Sequence, residues 1–150
     1  SKIMSLNDGL KKMSKSDPNQ NSRINLLDSP EKIVKKIKRA KSDSFAGIEF
    51  NNPERPESKN LLTIYSILNG KNIDDLENEF SQTGWGTFKK LITEQLIESL
   101  TPIQERYKIL IDDPHQLNKI LLSGKEKAEH VANETLSRVK TNLGFFKMEL

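Results

Sequence analysis

The 150-residue chain carries 24 Lys and Arg against 21 Asp and Glu, a formal net charge of +3, with 34% hydrophobic and 30% charged residues. That is enough for one domain with a modest core, and the mild basicity is compatible with nucleic acid without establishing it. The absence of cysteine excludes disulfides and thiolate metal sites, the wide separation of the two histidines, His115 and His130, argues against zinc, and no apolar run approaches membrane-spanning length.

The chain opens on Ser1-Lys2-Ile3-Met4-Ser5-Leu6, which reads as the end of a strand and points to a longer polypeptide upstream. Residues 1–28 lack helical periodicity and are rich in Ser, Asn, Asp and Gly. They are predicted to be mostly loop, with almost nothing to bury. From Ser29 the pattern becomes helical. Ser29 is a good N-cap, Pro30 suits the first helical position, and Glu31 suits the positive end of the dipole. Ile33, Val34, Ile37 and Ala40 fall on one face, and Lys32, Lys35, Lys36, Lys38, Arg39 and Lys41 occupy the rest. Residues 42–58 return to loop, with a short extended piece at Gly47–Phe50. "NNPERPE" (Asn51–Glu57) cannot lie inside a helix, because its prolines remove donors and restrict their neighbours.

The remainder reads as helices. Leu61, Leu62, Ile64, Tyr65 and Leu68 form an apolar face ended by Asn69-Gly70. Ile73, Leu76 and Phe80 form a short second one, and Gly84-Trp85-Gly86 breaks the chain. Phe88, Leu91, Ile92, Leu96 and Leu100 make a third stripe. Thr101-Pro102 is predicted to open a separate helix with Ile103, Tyr107 and Ile111 at spacing four, closed by Asp112-Asp113-Pro114. Leu117, Ile120, Leu121 and Leu122 continue until Gly124 interrupts. A last helix carries Ala128, Val131, Ala132, Leu136, Val139 and Leu143 and ends near Gly144.

The chemistry concentrates in the front loop, at Lys12-Met13-Ser14-Lys15-Ser16, with Gly9 as a plausible pivot and Pro18 as a stop. Lysine is a compact point charge on a flexible stem and a good phosphate partner, and serine hydroxyls and loop amides also donate to phosphate oxygens. Such a loop can close over a triphosphate and stabilise the charge growing on departing pyrophosphate. No general base is needed when the attacking group is already an anion, such as a carboxylate. A solvated basic loop has the same composition, and spacing alone does not separate the two.

The exact identity of the stretch does. "KMSKS" is the full signature of the class I aminoacyl-tRNA synthetases, and "IMSLNDGLKKMSKSDPN", "SPEKIVKKIKRAKSD", "NLLTIYS" and "TPIQERY" resemble the matching segments of bacterial and organellar tryptophanyl-tRNA synthetases. An echo near the end falls in "LLSGKEKAEHVA", so the resemblance runs through nearly the whole chain. It implies activation of tryptophan by ATP with Mg2+, and transfer of the aminoacyl group to tRNA(Trp), by a homodimeric enzyme. Lys12 and Lys15 match the catalytic lysines that hold the ATP phosphates, with Lys15 carrying most of the transition-state stabilisation. Met13 matches a backbone contact near adenine, Ser14 and Ser16 support the loop, and Ile3 and Met4 match the strand end bordering the adenine pocket. The chain departs from the family at Glu57, where glycine is usual, and at Lys59, where serine or threonine is usual. The family's other signature, of the His-x-Gly-His type, is absent here, as is any recognisable tryptophan pocket.

The implied fold is mostly α. Residues 1–28 would end a Rossmann-type catalytic domain lying outside this chain, and residues 29–150 would form a helical bundle of the anticodon-binding type. The fragment alone is expected not to make adenylate. Lys35, Lys38 and Arg39 on the basic helix, and Arg106, are candidates for tRNA contact, against a plain reading as solvated surface. Trp85 is expected as an anchor at the edge of the core before a stacking platform, and His115 and His130 as surface residues. Rival readings are the tyrosine-specific relative and a non-catalytic helical RNA-binding module. The mitochondrial matrix is the first expectation for location, and a bacterial cytoplasm the second.

Overall fold

A computed structural model describes residues 2–145. Two short strands, β1 (Met4–Ser5) and β2 (Asp8–Lys12), precede a 3-10 turn at Gln20–Ser22. Five helices follow: α1 (Pro30–Arg39), α2 (Pro56–Asn69), α3 (Ile73–Phe80), α4 (Trp85–Asp112) and α5 (Pro114–Asn142). The chain is therefore mostly α. It forms two compact units that divide between Gln104 and Glu105.

In the first unit the helix signals operate as expected. Ser29 caps α1, its hydroxyl accepting from the Lys32 amide at 3.4 Å, and Pro30 takes the first position. α2 already starts at Pro56, inside the 42–58 stretch expected as loop, because proline is pre-set for the first helical position, and Gly70, at φ +70°, closes it as expected in the left-handed conformation that glycine adopts without penalty. Ile33, Ile37, Leu61, Leu62, Leu76, Phe88 and Ile92 are all at most 2% exposed and make the centre of the core. Tyr65, Phe80 and Phe88 meet edge to face, with ring centroids 5.0–5.7 Å apart. Val34, expected on the apolar face of α1, is exposed.

Several elements differ from expectation. The front segment is not all loop: β1 and β2 pair as an antiparallel hairpin, and Leu6 is 2% exposed, with Met13 and Ile24 packed on the core. Gly47–Phe50 forms no strand; Ile48 is fully buried and its amide donates to the Phe80 carbonyl at 3.0 Å. Gly47 has φ +73°, and a Cβ there would lie 2.1 Å from the Ser81 carbonyl oxygen, so only glycine fits. Pro102 sits inside α4 and does not start a helix. Its missing amide frees the carbonyl of Glu98 at an exposed position, and the neighbouring Thr101 hydroxyl donates to Ile97 O at 2.7 Å.

The second unit comprises the end of α4 and α5. Asp113 caps α5 by accepting from the Gln116 amide at 3.0 Å, and the helix runs through Gly124, a residue that weakens a helix by roughly 1 kcal/mol without ending it. α5 has no buried residue. Positive φ returns at Gly144, just beyond its end.

Candidate functional site

The signature residues straddle the end of the hairpin and the turn that follows it. Met4 lies opposite Lys12 across the ladder, and the Met13 amide donates to the Ile3 carbonyl at 3.0 Å. In an antiparallel pair, bonded and non-bonded positions alternate. Ile3 points its carbonyl toward β2, so Met4 points its N–H and C=O toward the other edge. There the carboxamide of Asn60, in the second turn of α2, takes both. The Met4 amide donates to Asn60 Oδ1 at 2.8 Å, and Asn60 Nδ2 donates to the carbonyls of Met4 at 2.9 Å and Ser5 at 3.4 Å.

One turn earlier on the same helix, Glu57 makes a second tie. Its Oε1 accepts from the Gly9 amide at 3.4 Å and meets the Lys41 ammonium at 2.8 Å. Gly9 proves to be a contact residue, not a pivot: a Cβ on it would lie 2.5 Å from the Pro56 carbonyl carbon. Burial pushes the Glu57 carboxyl up, but Lys41, the residue's own amide and the Gly9 N–H outweigh it and hold the group below its ordinary 4.5. Glu57 thus fastens the hairpin. Lys59 lays its ammonium 4.7 Å from the centre of the Phe50 ring. The backbone adds further fastenings, Leu6 N–H to Ser22 O at 2.9 Å and Lys41 N–H to Leu6 O at 2.7 Å.

Beyond β2 the chain turns sharply. Ser14 Oγ accepts from the Ser16 amide at 3.3 Å and lies 3.0 Å from Ser16 Oγ, and the Asp17 amide reaches the Ser14 carbonyl at 3.4 Å. Arg23 closes the far side, donating to the Asp17 carbonyl at 2.7 Å. The Asp17 carboxyl is lowered first by the Asn19 amide and then by Lys11, 3.6 Å away. Met13 packs inward while Lys12, Lys15 and Ser16 are exposed. Among the described residues neither Lys12 nor Lys15 is in an ion pair. The turn therefore presents two uncompensated ammonium groups and two hydroxyls beside them, an arrangement that suits an anion.

The other predicted contacts are dispersed. Lys35, Lys38 and Arg39 are exposed on α1, and Arg106 is exposed in the second unit. Lys36 belongs instead to the core: its ammonium bonds Asp28, and both side chains are under 10% exposed. Its position, between Ile33 and Ile37 on the apolar face, was the available signal. Trp85 is half-buried, its indole N–H donating to Asp43 Oδ1 at 3.1 Å, which makes it an anchor at the core edge. His115 and His130 are exposed. Arg55 and Asn60 were not foreseen as structural polar groups, although both are buried.

Comparison with known proteins shows the family. Residues 1–101 match the family model described as "tRNA synthetases class I (W and Y)". A tryptophan–tRNA ligase of Prochlorococcus marinus is 76% identical over 149 residues, covering 99% of this chain and 44% of that protein. The chloroplastic/mitochondrial tryptophan–tRNA ligase of Arabidopsis thaliana is 51% identical over 97% of the chain and 36% of its own length. The crystal structure of tryptophanyl-tRNA synthetase from Mycoplasma pneumoniae superposes with a TM-score of 0.83 at 34% identity, over 97% of this chain and 46% of that one. The chain thus spans less than half the length of the relatives it matches. With the signature turn, its hairpin support and the helical region all accounted for, the chain belongs to the class I tRNA synthetases of the tryptophan and tyrosine group.

Proposed function

We propose that these residues are the signature-loop and helical part of a tryptophan–tRNA ligase. The enzyme joins tryptophan to AMP at the expense of ATP and passes the aminoacyl group to tRNA(Trp). In the first step the tryptophan carboxylate attacks the α-phosphorus of ATP, a carboxyl–phosphorus bond forms, and the bond to pyrophosphate breaks. Lys12 and Lys15 hold the phosphates, and Lys15 neutralises the charge that accumulates on the departing pyrophosphate. Ser14 and Ser16 shape the turn and donate from their hydroxyls. Met13 borders the adenine with its backbone, and Ile3 and Met4 border it from the strand end. The amide and carbonyl of Met4 are already bonded to Asn60, which leaves its side chain for the base.

The observation that carries this reading is the exposed, unpaired Lys12 and Lys15 on a turn whose base is fastened to α2. The tryptophan assignment rests on the named relatives. Magnesium would arrive on the triphosphate and shield its oxygens. The described residues contain no group of three acidic or histidine side chains to hold the ion themselves, and their lysines fit the phosphates.

Residues 29–150 would recognise tRNA through phosphate contacts from Lys35, Lys38, Arg39 and Arg106, and residues 1–28 would complete the catalytic domain. That division is one of task; in packing, the hairpin and α1–α3 share one unit. The enzyme would work as a homodimer. The Prochlorococcus relatives, at 76% and 59% identity, exceed the organellar Arabidopsis protein at 51%, which favours a bacterial cytoplasm over the mitochondrial matrix.

ATP–pyrophosphate exchange by the full-length enzyme, with tryptophan or tyrosine supplied, tests the reading. Tryptophan alone should support exchange. Lys15→Ala should lower kcat by about a hundredfold to a thousandfold with a much smaller change in KM for ATP. A variant that loses ATP affinity and turnover equally would mean that Lys15 binds the ground state only.

A further inference from the structure

We infer that Asn60 is a positioning residue of the signature turn: its carboxamide completes the open edge of β1 and thereby lets α2 set where Lys12 and Lys15 stand. The inference rests on the proposed role of that turn in adenylate formation. A two-stranded hairpin is marginal by itself. Here β1 has two residues and β2 five, so the pair needs an outside partner. Asn60 supplies one in the manner of a third strand, with an acceptor for the Met4 amide and a donor for the Met4 and Ser5 carbonyls. A carboxamide offers both on separate atoms of one short stem, so it meets the amide and the carbonyls at once. Asn60 is 3% exposed, so water does not substitute.

The clasp acts on the loop by a short path. Met4 lies directly opposite Lys12, and Ile3 holds the Met13 amide, so a shift of β1 is a shift of the residue that starts the turn. Glu57 is three residues earlier on α2 and holds Gly9 at the other end of β2. The close approach of Gly9 to Pro56 fixes the spacing between hairpin and helix. The hairpin and the first turns of α2 therefore move together, while the side chains of Lys12 and Lys15 stay exposed on the turn.

The test has a structural arm and a catalytic arm. In the 150-residue chain, Asn60→Ala should speed hydrogen exchange at the Met4, Leu6 and Met13 amides by about tenfold or more, the scale of losing a buried hydrogen bond. The Ile92 amide in α4 should keep its protection. Asn60→Asp keeps the shape and the acceptor but loses the donor, and it carries the test if the alanine variant loses helical circular dichroism. In the full-length enzyme either variant should lower kcat for tryptophan-dependent exchange about tenfold to a hundredfold with KM for tryptophan unchanged. Unchanged hairpin protection would overturn the inference. So would lost protection with normal kcat, because α2 would then hold the hairpin without positioning the turn. A wild-type enzyme inactive with tryptophan would instead reject the proposed function and leave the clasp to be judged by exchange alone.

Discussion

Replacing Arg55 by methionine should be among the costliest single losses of charge in the first unit. The side chain is 1% exposed and is engaged at every nitrogen. Nε and Nη2 donate to the two Asp43 oxygens at 2.9 and 3.0 Å, Nη2 also reaches Gly47 O at 2.8 Å, and Nη1 reaches Ala46 O at 3.4 Å. Methionine fills much of the volume but strands Asp43 and both carbonyls. Removing one partner of a buried pair costs about 3–5 kcal/mol. Asp43 keeps two donors, the Trp85 indole and the Phe45 amide, so the lower figure applies. At roughly 2.1 cal/mol/K of unfolding entropy per residue, for a unit of about 100 residues, each kcal/mol moves Tm by about 5 °C. The expected drop is about 15 °C by far-UV circular dichroism at neutral pH. Arg55→Lys keeps one charge but loses the fork and should fall in between. A methionine variant melting within about 5 °C of the parent would refute the view that Arg55 organises the 42–55 loop.

The Lys36–Asp28 pair should behave alike: Lys36→Ala should destabilise by about 3 kcal/mol, whereas Lys35→Ala one position away should cost under about 0.5 kcal/mol, both read by urea unfolding. Acid should weaken the first unit in a defined window. Burial raises the Asp28, Asp43 and Glu57 carboxyls, but their cationic and amide partners leave all of them below their ordinary values of 3.8 and 4.5. Groups lowered by folding stabilise above the unfolded value and lose that contribution as pH falls through the folded one, so stability should be flat above about pH 5 and decline below about 4.5. Asp28→Asn should flatten that decline in a pH series of urea melts. For tRNA, reversing Lys35 and Arg39 to glutamate should weaken binding and reduce the log–log salt slope by about 2 if both meet phosphates, and an unchanged slope would retire the α1 contact.

The helices of the first unit were legible because their caps and apolar spacing are local signals. Ser29-Pro30, Asn69-Gly70 and the Ile33/Ile37 pair specify their roles within a few residues. What escaped was non-local. Residues 8–12 alternate too weakly to announce a strand, and β2 exists because β1 and α2 hold it. Arg55 sits in a proline-bounded segment that reads as surface, and nothing near it in sequence betrays that Asp43, twelve residues away, waits for it. Pro102 and Gly124 signal breaks in sequence but lie inside helices, since an exposed helix tolerates a freed carbonyl or a missing side chain for a modest cost. The signature turn stands out in the sequence through the resemblance its residues carry, yet its fastening does not, because Asn60 lies 56 residues from Met4.

That division between tip and base follows from electrostatics. Two unit charges 4 Å apart interact by about 1 kcal/mol in water and about 4 kcal/mol at the effective dielectric of a protein surface. Lys12 and Lys15, exposed as they stand, would stabilise an anion only at the weaker end of that range. Their value to a reaction depends on being delivered, together and at a fixed height, into a place where water is scarce. In the proposed reaction, charge on the lysines is therefore necessary but secondary to placement. Placement is what the bonds from Asn60 and Glu57 provide, through backbone groups of the hairpin. Backbone fastening leaves the lysine stems free to follow a phosphate as its charge grows, whereas a hairpin held by burying those stems would keep its position and lose its reach.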